Sequence, residues 1–295
     1  MLPAPFTPEF LNRLEALRLR TRKEVLGNRP GAYAAPRRGT SLEFADYRKY
    51  SPGDDLRYVD WGIFARSDRL YVRLFREEVD LFAYVFIDAS RSMACPSPAE
   101  KFAPACRVAL ALGYVVLANH DRVRLHCLAE PDIPASPFYR GRHRILDLID
   151  FVNAVEPAGA PELAAALARH LARIRRPGKA ILISDFLMPA AAYQQGLNLL
   201  RAHNLDIAAV QVLSRAELDP PLSGDLRLID SESGAALNVY WGEAARREYR
   251  GRLERHNREL KSFCHQSGVH YSLYAAGTDL SEYVLTALPA MGLFR

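Results

Sequence analysis

The stretch Leu81–Met93, LFAYVFIDASRSM, constrains the fold of this chain more than any other. Seven consecutive apolar or aromatic residues precede Asp88. A run of this kind, without polar alternation, predicts a parallel β-strand that is buried on both faces. Asp88 then lies at the carboxyl edge of the sheet, where open α/β sheets bind their ligands.

Three oxygen-bearing side chains follow this strand. Asp88, Ser90 and Ser92 occupy alternate positions of one loop, so their oxygens can converge on a single point. Carboxylate and hydroxyl oxygens are hard donors of the kind that Mg²⁺ or Mn²⁺ prefers. The loop therefore predicts a divalent cation site.

A second apolar strand also ends in a carboxylate. Lys179–Phe186, KAILISDF, places Asp185 after a short buried run. Because neighbouring parallel strands end side by side, Asp185 is expected to approach Asp88 and to join the metal site. An alternative interpretation is that both aspartates only cap the helices that follow them.

The alternation of strand and helix signals along the chain predicts an α/β, doubly wound, mostly parallel sheet. We divide the chain into residues 1–36, an N-terminal helix and linker; residues 37–79, a β-rich segment packed on the core; and residues 80–295, the α/β domain. Amphipathic spacing predicts the N-terminal helix over residues 8–26, and Asp279–Ala287 is predicted as a terminal helix. Helix onset near Ala99 is expected after the central strand, and Pro131–Arg142 is expected to be a turn-rich connection.

The β-rich segment carries a dense set of charged residues around the turn Ser51–Asp54. In one interpretation these charges pair to lock a hairpin while Trp61 fills the core; in the other they contact a partner. The residues concerned are Gly53, Asp54, Asp55, Arg57, Asp60, Trp61, Ala65, Arg66 and Arg69.

D-x-S-x-S after a buried strand resembles the metal-ion-dependent adhesion site of von Willebrand factor A domains. The preceding segment, YRKYSPGDDLRYVDWGIFARSDRLYVRLFREE, together with DASRSM, resembles the bacterial domain-of-unknown-function family numbered fifty-eight. The resemblance implies a von Willebrand factor A-like fold and Mg²⁺ or Mn²⁺ at Asp88, Ser90, Ser92 and Asp185. Its cation would take a final ligand from an acidic residue of a partner.

The resemblance also implies a partner, because this family is typically encoded beside MoxR-type AAA+ ATPases and is thought to supply adaptors in chaperone-like remodelling or metal insertion. One feature departs from the pattern. Complete adhesion sites present a threonine in a loop that corresponds to Gly159–Leu163, GAPEL, and no threonine stands there. Glu162 or water is left to fill its place, and weak cation binding is expected.

Composition narrows the class of protein further. The chain contains no apolar run of about 18 residues and no secretory signal core, so we expect a cytoplasmic protein without a membrane span. Four scattered cysteines favour reduced thiols over disulfides or a zinc site. P-loop, G-x-S-x-G, dinucleotide and H-E-x-x-H motifs are all missing, and Ser90 stands where a phosphotransferase of the haloacid dehalogenase type needs an acid. We therefore expect no enzymatic activity.

Three functional hypotheses remain open. The first is a protein-interaction module that binds its partner through the predicted metal site. The second is RNA binding, suggested by the net charge of +5, the pI near 9.0 and the basic runs Arg18–Lys23, Arg140–Arg144 and Arg173–Lys179. The third is a structural scaffold with a degenerate site, which the missing threonine favours.

Overall fold

A computed structural model describes residues 6–19, 42–77, 81–231 and 234–294 of the chain. The chain forms two compact units. The larger one comprises Met1–Lys23 with Leu81–Arg295, and the smaller one comprises Glu24–Asp80.

Strands and helices alternate along most of the described chain. The strands are β1 (Leu42–Lys49), β2 (Tyr71–Glu77), β3 (Phe82–Asp88), β4 (Arg122–Leu128), β5 (Tyr139–Arg140), β6 (Lys179–Ser184), β7 (Asp206–Leu213), β8 (Gly224–Ile229), β9 (Ala236–Trp241) and β10 (His270–Ala275). The helices are α1 (Pro8–Glu15), α2 (Trp61–Ser67), α3 (Phe102–Ala118), α4 (Ile145–Asn153), α5 (Leu163–Leu171), α6 (Ala190–Ala202), α7 (Arg215–Leu218), α8 (Glu243–Gln266), α9 (Leu280–Glu282) and α10 (Leu288–Ala290).

Six strands of the larger unit form one sheet in the order β10-β7-β6-β3-β4-β5. All neighbours are parallel except the short edge strand β5, which runs antiparallel to β4. Counted along the chain, the sheet has the doubly wound order 3-2-1-4-5-6, and the order reverses between β3 and β6. The predicted fold class is confirmed, and the strand order places a ligand crevice where β3 and β6 end.

The central strand β3 is buried because helices cover both faces of the sheet. Its alternate residues face two separate cores: Val85 and Ile87 face one, Tyr84 and Phe86 the other. Helices α1, α3 and α4 contribute to the first core, and α5, α6 and α8 to the second. This two-sided burial explains the unbroken apolar run in the sequence.

The N-terminal helix is shorter than predicted. It ends at Glu15 rather than continuing to residue 26, and residues 20–41, which include the predicted linker, lie outside the described residues. Tyr114 Oη on α3 donates a hydrogen bond to Glu15 Oε1 at 2.7 Å, and Asn119 Nδ2 donates to the Leu17 carbonyl at 2.7 Å. The helix is thus part of the larger unit, whereas the sequence grouped it with the linker.

Three other boundaries were wrong. Helix α3 begins at Phe102 rather than near Ala99, and the connection predicted over Pro131–Arg142 contains the edge strand β5. The predicted terminal helix is divided into α9, a π-helical turn at Tyr283–Ala287, and α10. Within the described residues, no helix combines the length and apolar character that a membrane crossing requires.

The smaller unit is built on an antiparallel hairpin of β1 and β2, as the sequence predicted. Asp60 organises it: its carboxylate accepts hydrogen bonds from Arg73 Nε at 2.8 Å, the Ile63 amide at 3.0 Å and Tyr47 Oη at 3.1 Å. The bond from Arg73, followed by the amide bond, lowers the pKa of Asp60 to about 2. The interpretation that Trp61 fills the core is wrong, because Trp61 is 56% exposed.

A buried histidine pair lies beside β3 in the larger unit. The ring of His126 stacks on Phe86 at 4.6 Å and meets the ring of His170 edge-on at 5.0 Å. Both ring nitrogens of His126 are buried without a hydrogen-bond partner. Burial, with a smaller contribution from His170, lowers the pKa of His126 to about 2.

Replacing His126 with leucine is expected to make the protein less sensitive to acid. In the unfolded chain this histidine has a pKa of about 6.5 and binds a proton at lower pH, whereas in the folded chain it stays neutral. The free energy of unfolding therefore falls by about 1.4 kcal/mol for each pH unit below about 6.5. Between pH 7 and pH 5 the His126→Leu variant should lose about 2 kcal/mol less free energy of unfolding than the wild type. Denaturant titrations at both pH values measure this difference. The exposed control His265→Gln should behave like the wild type, and equal acid sensitivity in all three proteins contradicts the prediction.

Candidate functional site at the carboxyl edge of the sheet

Asp88 is the buried end of the central strand. It is 5% exposed, and its two oxygens are held by different elements. Oδ1 accepts the Ser90 amide hydrogen at 3.0 Å, and Oδ2 accepts the Ser184 hydroxyl hydrogen at 2.6 Å. Because Ser184 ends β6, this second bond ties the ends of two neighbouring strands together across the switch point.

The two serines of the D-x-S-x-S loop converge as predicted. Ser90 Oγ and Ser92 Oγ are 2.9 Å apart. Two ligands on adjacent corners of a Mg²⁺ octahedron, each about 2.0–2.1 Å from the metal, are separated by about 2.9 Å. The two hydroxyls are hydrogen-bonded to each other at this distance, which also matches one octahedral edge.

Asp185 lies beside Asp88, and its position is fixed by the backbone around it. Gln211 Nε2, on β7, donates a hydrogen bond to the Asp185 carbonyl at 2.9 Å, while Asp185 Oδ1 accepts the Leu187 amide hydrogen at 2.9 Å. The next residue, Phe186, has a φ of +54°, a left-handed conformation that bulky side chains rarely adopt. Backbone strain of this kind often occurs at functional sites.

A buried ammonium lies in the middle of this edge. Lys101, the residue before α3, is 1% exposed. Its Nζ lies 2.6 Å from Asp185 Oδ2 and 2.5 Å from Glu217 Oε1, and it donates a hydrogen bond to the Ser92 carbonyl at 3.1 Å. One cation therefore joins the loops that follow β3, β6 and β7.

Glu217 is itself held in place at the start of α7. Its Oε2 accepts hydrogen bonds from the Ser214 amide at 2.8 Å and the Ser214 hydroxyl at 2.9 Å, which completes a capping box. Tyr249 Oη on α8 donates to the Glu217 carbonyl at 2.7 Å. The carboxylate thus links the ammonium to a rigid helix start.

The charges of the site oppose and compensate one another. Burial, and then the neighbouring Asp185, raises the pKa of Asp88, so its negative charge is costly. Burial alone would lower the pKa of Lys101, but Asp185 and Glu217 outweigh that effect and raise it. Lys101 therefore stays positively charged at neutral pH and offsets part of the carboxylate charge.

The donors fit a divalent cation in part. Asp88, Ser90 and Ser92 supply a carboxylate and two hydroxyls at suitable spacing, whereas Asp185, the fourth predicted ligand, is the ion-pair partner of Lys101. The loop that lacks the expected threonine does reach the site, since the Arg91 amide donates to the Gly159 carbonyl at 2.8 Å. Glu162 is exposed at the start of α5. A cation bound here would be held by Asp88, Ser90 and Ser92, and it would supply an open position for an acidic ligand.

Asp88, Ser90, Ser92 and Asp185 remain predicted site residues, and sequence reasoning missed Lys101 and Glu217, which lie at the same edge. Glu217 had a readable signal, because Ser214 to Glu217 spells S-x-x-E directly after an apolar strand. For Lys101, the only signal in the sequence is its position directly before the apolar helix α3. Neither signal indicates that two residues 116 positions apart form an ion pair.

The three aspartates of the smaller unit's signature are each paired with an arginine of the same unit, and one of these arginines, Arg57, belongs to the signature. Asp54 pairs with Arg48 at 2.7 Å, and Asp55 pairs with Arg57 at 2.5 Å, while Asp60 binds Arg73. Gly53 has a φ of +104°, as the turn requires. These pairs agree with the interpretation that the charges lock the hairpin.

Strand order and helix placement define a doubly wound α/β domain, with Asp88, Ser90 and Ser92 at the end of the first strand of its sheet. Residues 46–259, well over half of the chain, match the family described as Protein of unknown function DUF58. The chain belongs to this family, as the sequence resemblance implied.

Similar proteins include the uncharacterized protein Rv1480 of Mycobacterium tuberculosis, which is 27% identical over 253 residues, 82% of this chain and 77% of that protein. Among solved structures, BatB from Bacteroides thetaiotaomicron is 11% identical, with a TM-score of 0.40 over 72% of this chain and 98% of that chain. The vWF domain of the pilus tip protein Mfa5 from Porphyromonas gingivalis is 15% identical, with a TM-score of 0.28 over 69% of this chain and 83% of that chain. The fold assignment rests on the strand order rather than on these alignments.

An Asp88→Asn variant is expected to be more stable than the wild type at pH 7. A carboxyl group whose pKa is raised on folding costs stability above its folded pKa and none below its unfolded pKa. The neutral amide should therefore raise the melting temperature by about 2–4 °C at pH 7, which corresponds to about 1 kcal/mol. This difference should shrink as the pH is lowered towards 4. Thermal unfolding in EDTA measures it, with the exposed Asp150→Asn as control; a lower melting temperature for Asp88→Asn at pH 7 contradicts the assignment.

Proposed function

We propose that this protein is a non-enzymatic protein-interaction module that binds its partner at the carboxyl edge of the sheet. The observation that carries the proposal is the convergence of Asp88, Ser90 and Ser92 at the switch point of a doubly wound sheet. Ligands of such sheets bind in that crevice. A carboxylate that costs stability and a strained Phe186 backbone, both at one edge, are typical of a binding site rather than of a scaffold.

The surface around the site offers contacts to a partner. Arg91, between the two serines, is exposed and can attract an acidic side chain. Leu187, two residues after Asp185, is 41% exposed and can serve as an apolar anchor. A divalent cation at Asp88, Ser90 and Ser92 would attract the same acidic side chain and fix its geometry. These features favour a partner that presents an Asp or Glu.

The partner that we propose is a MoxR-type AAA+ ATPase, for which the protein would act as an adaptor in remodelling or metal insertion. The chain belongs to the DUF58 family, and the proposal of this partner comes from the resemblance described above, which implies a family typically encoded beside such ATPases. The residues at this edge support binding of an acidic group, but they do not indicate which protein carries that group. The identity of the partner therefore has to be read out directly.

RNA binding is less well supported. In the basic run Arg140–Arg144, Arg142 lies near Glu15 and Arg144 pairs with Asp147. In the run Arg173–Lys179, Lys179 is buried against Asp206 at 2.9 Å. Guanidinium and ammonium groups engaged in this way are less available to neutralise phosphates, which is what non-specific nucleic-acid binding requires.

Affinity capture from native bacterial lysate tests the proposal. Wild-type protein and the nearly isosteric Asp88→Asn variant are used as baits, each in Mg²⁺ and in EDTA, and bound proteins are quantified by mass spectrometry. We expect wild type in Mg²⁺ to retain an AAA+ ATPase at least tenfold above the Asp88→Asn variant and above wild type in EDTA.

The control bait is Asp150→Asn, which removes an exposed carboxylate of α4 and should capture the partner like the wild type. Equal capture by wild type and Asp88→Asn in both buffers would show that the partner does not bind at this edge, and it would favour the scaffold hypothesis. Capture of RNA that disappears steeply with added salt would favour the nucleic-acid hypothesis instead.

A further inference from the structure

Lys101 is the one element of the site that adhesion-type cation binding does not require. It is almost completely buried, and its ammonium contacts Asp185, Glu217 and the Ser92 carbonyl at 2.5–3.1 Å. A buried ammonium is retained only when it is paired and hydrogen-bonded, and this one has two carboxylates and a carbonyl. The position of Lys101 beside the predicted cation ligands suggests that its charge affects how the site binds a cation.

We propose that the Lys101 ammonium is a built-in competitor of the divalent cation and sets how tightly Asp88, Ser90 and Ser92 hold Mg²⁺ or Mn²⁺. The inference deepens the proposed function and rests on its cation site. It concerns cation affinity alone, so it can be measured without the partner.

The first argument is electrostatic repulsion. The Lys101 ammonium is hydrogen-bonded to the same residue, Ser92, whose hydroxyl would hold the cation. The ammonium and a cation held by the Ser92 hydroxyl would thus contact the same residue at a buried edge, where salt screens charges less than at the surface. Burial weakens screening further, so the ammonium must lower the affinity for a divalent cation.

The second argument is competition for a ligand. Asp185 Oδ2 lies 2.6 Å from the ammonium, and Asp185 Oδ1 accepts the Leu187 amide hydrogen. Because Oδ2 is ion-paired with the ammonium, a cation can use this oxygen of Asp185 only by sharing it with Lys101 or by displacing Lys101. Glu217 holds the ammonium from the other side and makes displacement harder.

The third argument is charge balance. Without the ammonium, Asp185 would keep its repulsion with Asp88 and would lose the positive charge that it shares with Glu217. Uncompensated buried carboxylates are costly, and a divalent cation would relieve that cost. Removing the charge of Lys101 should thus convert a weak cation site into a stronger one.

The test measures Mn²⁺ affinity by electron paramagnetic resonance titration of free Mn²⁺, with calorimetry as a second readout. Lys101→Met, which keeps the length of the side chain but not its charge, should bind Mn²⁺ at least tenfold more tightly than the wild type. Lys101→Gln, which keeps a hydrogen-bond donor, should also bind Mn²⁺ more tightly than the wild type. This variant replaces Lys101→Met in the test if the methionine variant does not fold. Lys101→Arg should bind as weakly as the wild type.

Two controls locate the effect. Lys261→Met removes an exposed charge of α8 and should leave Mn²⁺ affinity unchanged. The double variant Lys101→Met, Asp185→Asn should lose most of the gain, because the freed carboxylate is removed. Equal Mn²⁺ affinity in wild type, Lys101→Met and Lys101→Gln overturns the inference about Lys101 but not the cation site.

If neither the wild type nor any variant binds Mn²⁺, the inference and the cation site are both wrong. Failure of partner capture alone contradicts only the proposed function.

Discussion

The buried ion pairs of Lys101 hold together the edge of the sheet at which we propose that a partner binds. Three loops, after β3, β6 and β7, would otherwise carry Asp88, Asp185 and Glu217 into one desolvated region. Burial, and then the charge of Asp185, raises the pKa of Asp88, so a counter-charge at this edge relieves an electrostatic cost. Lys101 supplies that charge from the start of α3, at the edge of a closely packed core.

The rest of the fold fixes the relative positions of the Lys101 ammonium and the carboxylates at this edge. The strand β3 is buried on both faces, so it cannot shift along its neighbours without exposing apolar side chains. The hydroxyl of Ser184 then binds Asp88 across the switch point, and Gln211 on β7 holds the Asp185 backbone. Apolar packing sets the positions of the strands, while a small number of polar contacts sets the geometry at their ends. The carboxyl edge of the sheet therefore holds a buried charge balance between Lys101 and the carboxylates of Asp185 and Glu217.

The sequence predicted the parts of this structure that depend on patterns of local composition. Apolar runs locate β3 and β6, and the rule that parallel strands end side by side predicts that Asp88 and Asp185 are neighbours, which agrees with the effect of Asp185 on the pKa of Asp88. Trp61 was assigned to a core because it is apolar, yet it is 56% exposed, since its position is set by Asp60 and its partners. Lys101 was missed because nothing near it in the sequence indicates its partners. The contact with Glu217 exists only after the strand order of the sheet is known.

The crystal structure of the wild-type protein grown with millimolar Mn²⁺, with anomalous scattering recorded near the manganese edge, tests the central claim most directly. Our account predicts that Lys101 Nζ stays within hydrogen-bond distance of Asp185, Glu217 and the Ser92 carbonyl, and that any weak anomalous peak lies at Ser90 and Ser92 and not on Asp185. A strong peak coordinated by Asp185, with Lys101 turned away from it, would contradict the account and would show a site organised by the metal rather than by the lysine.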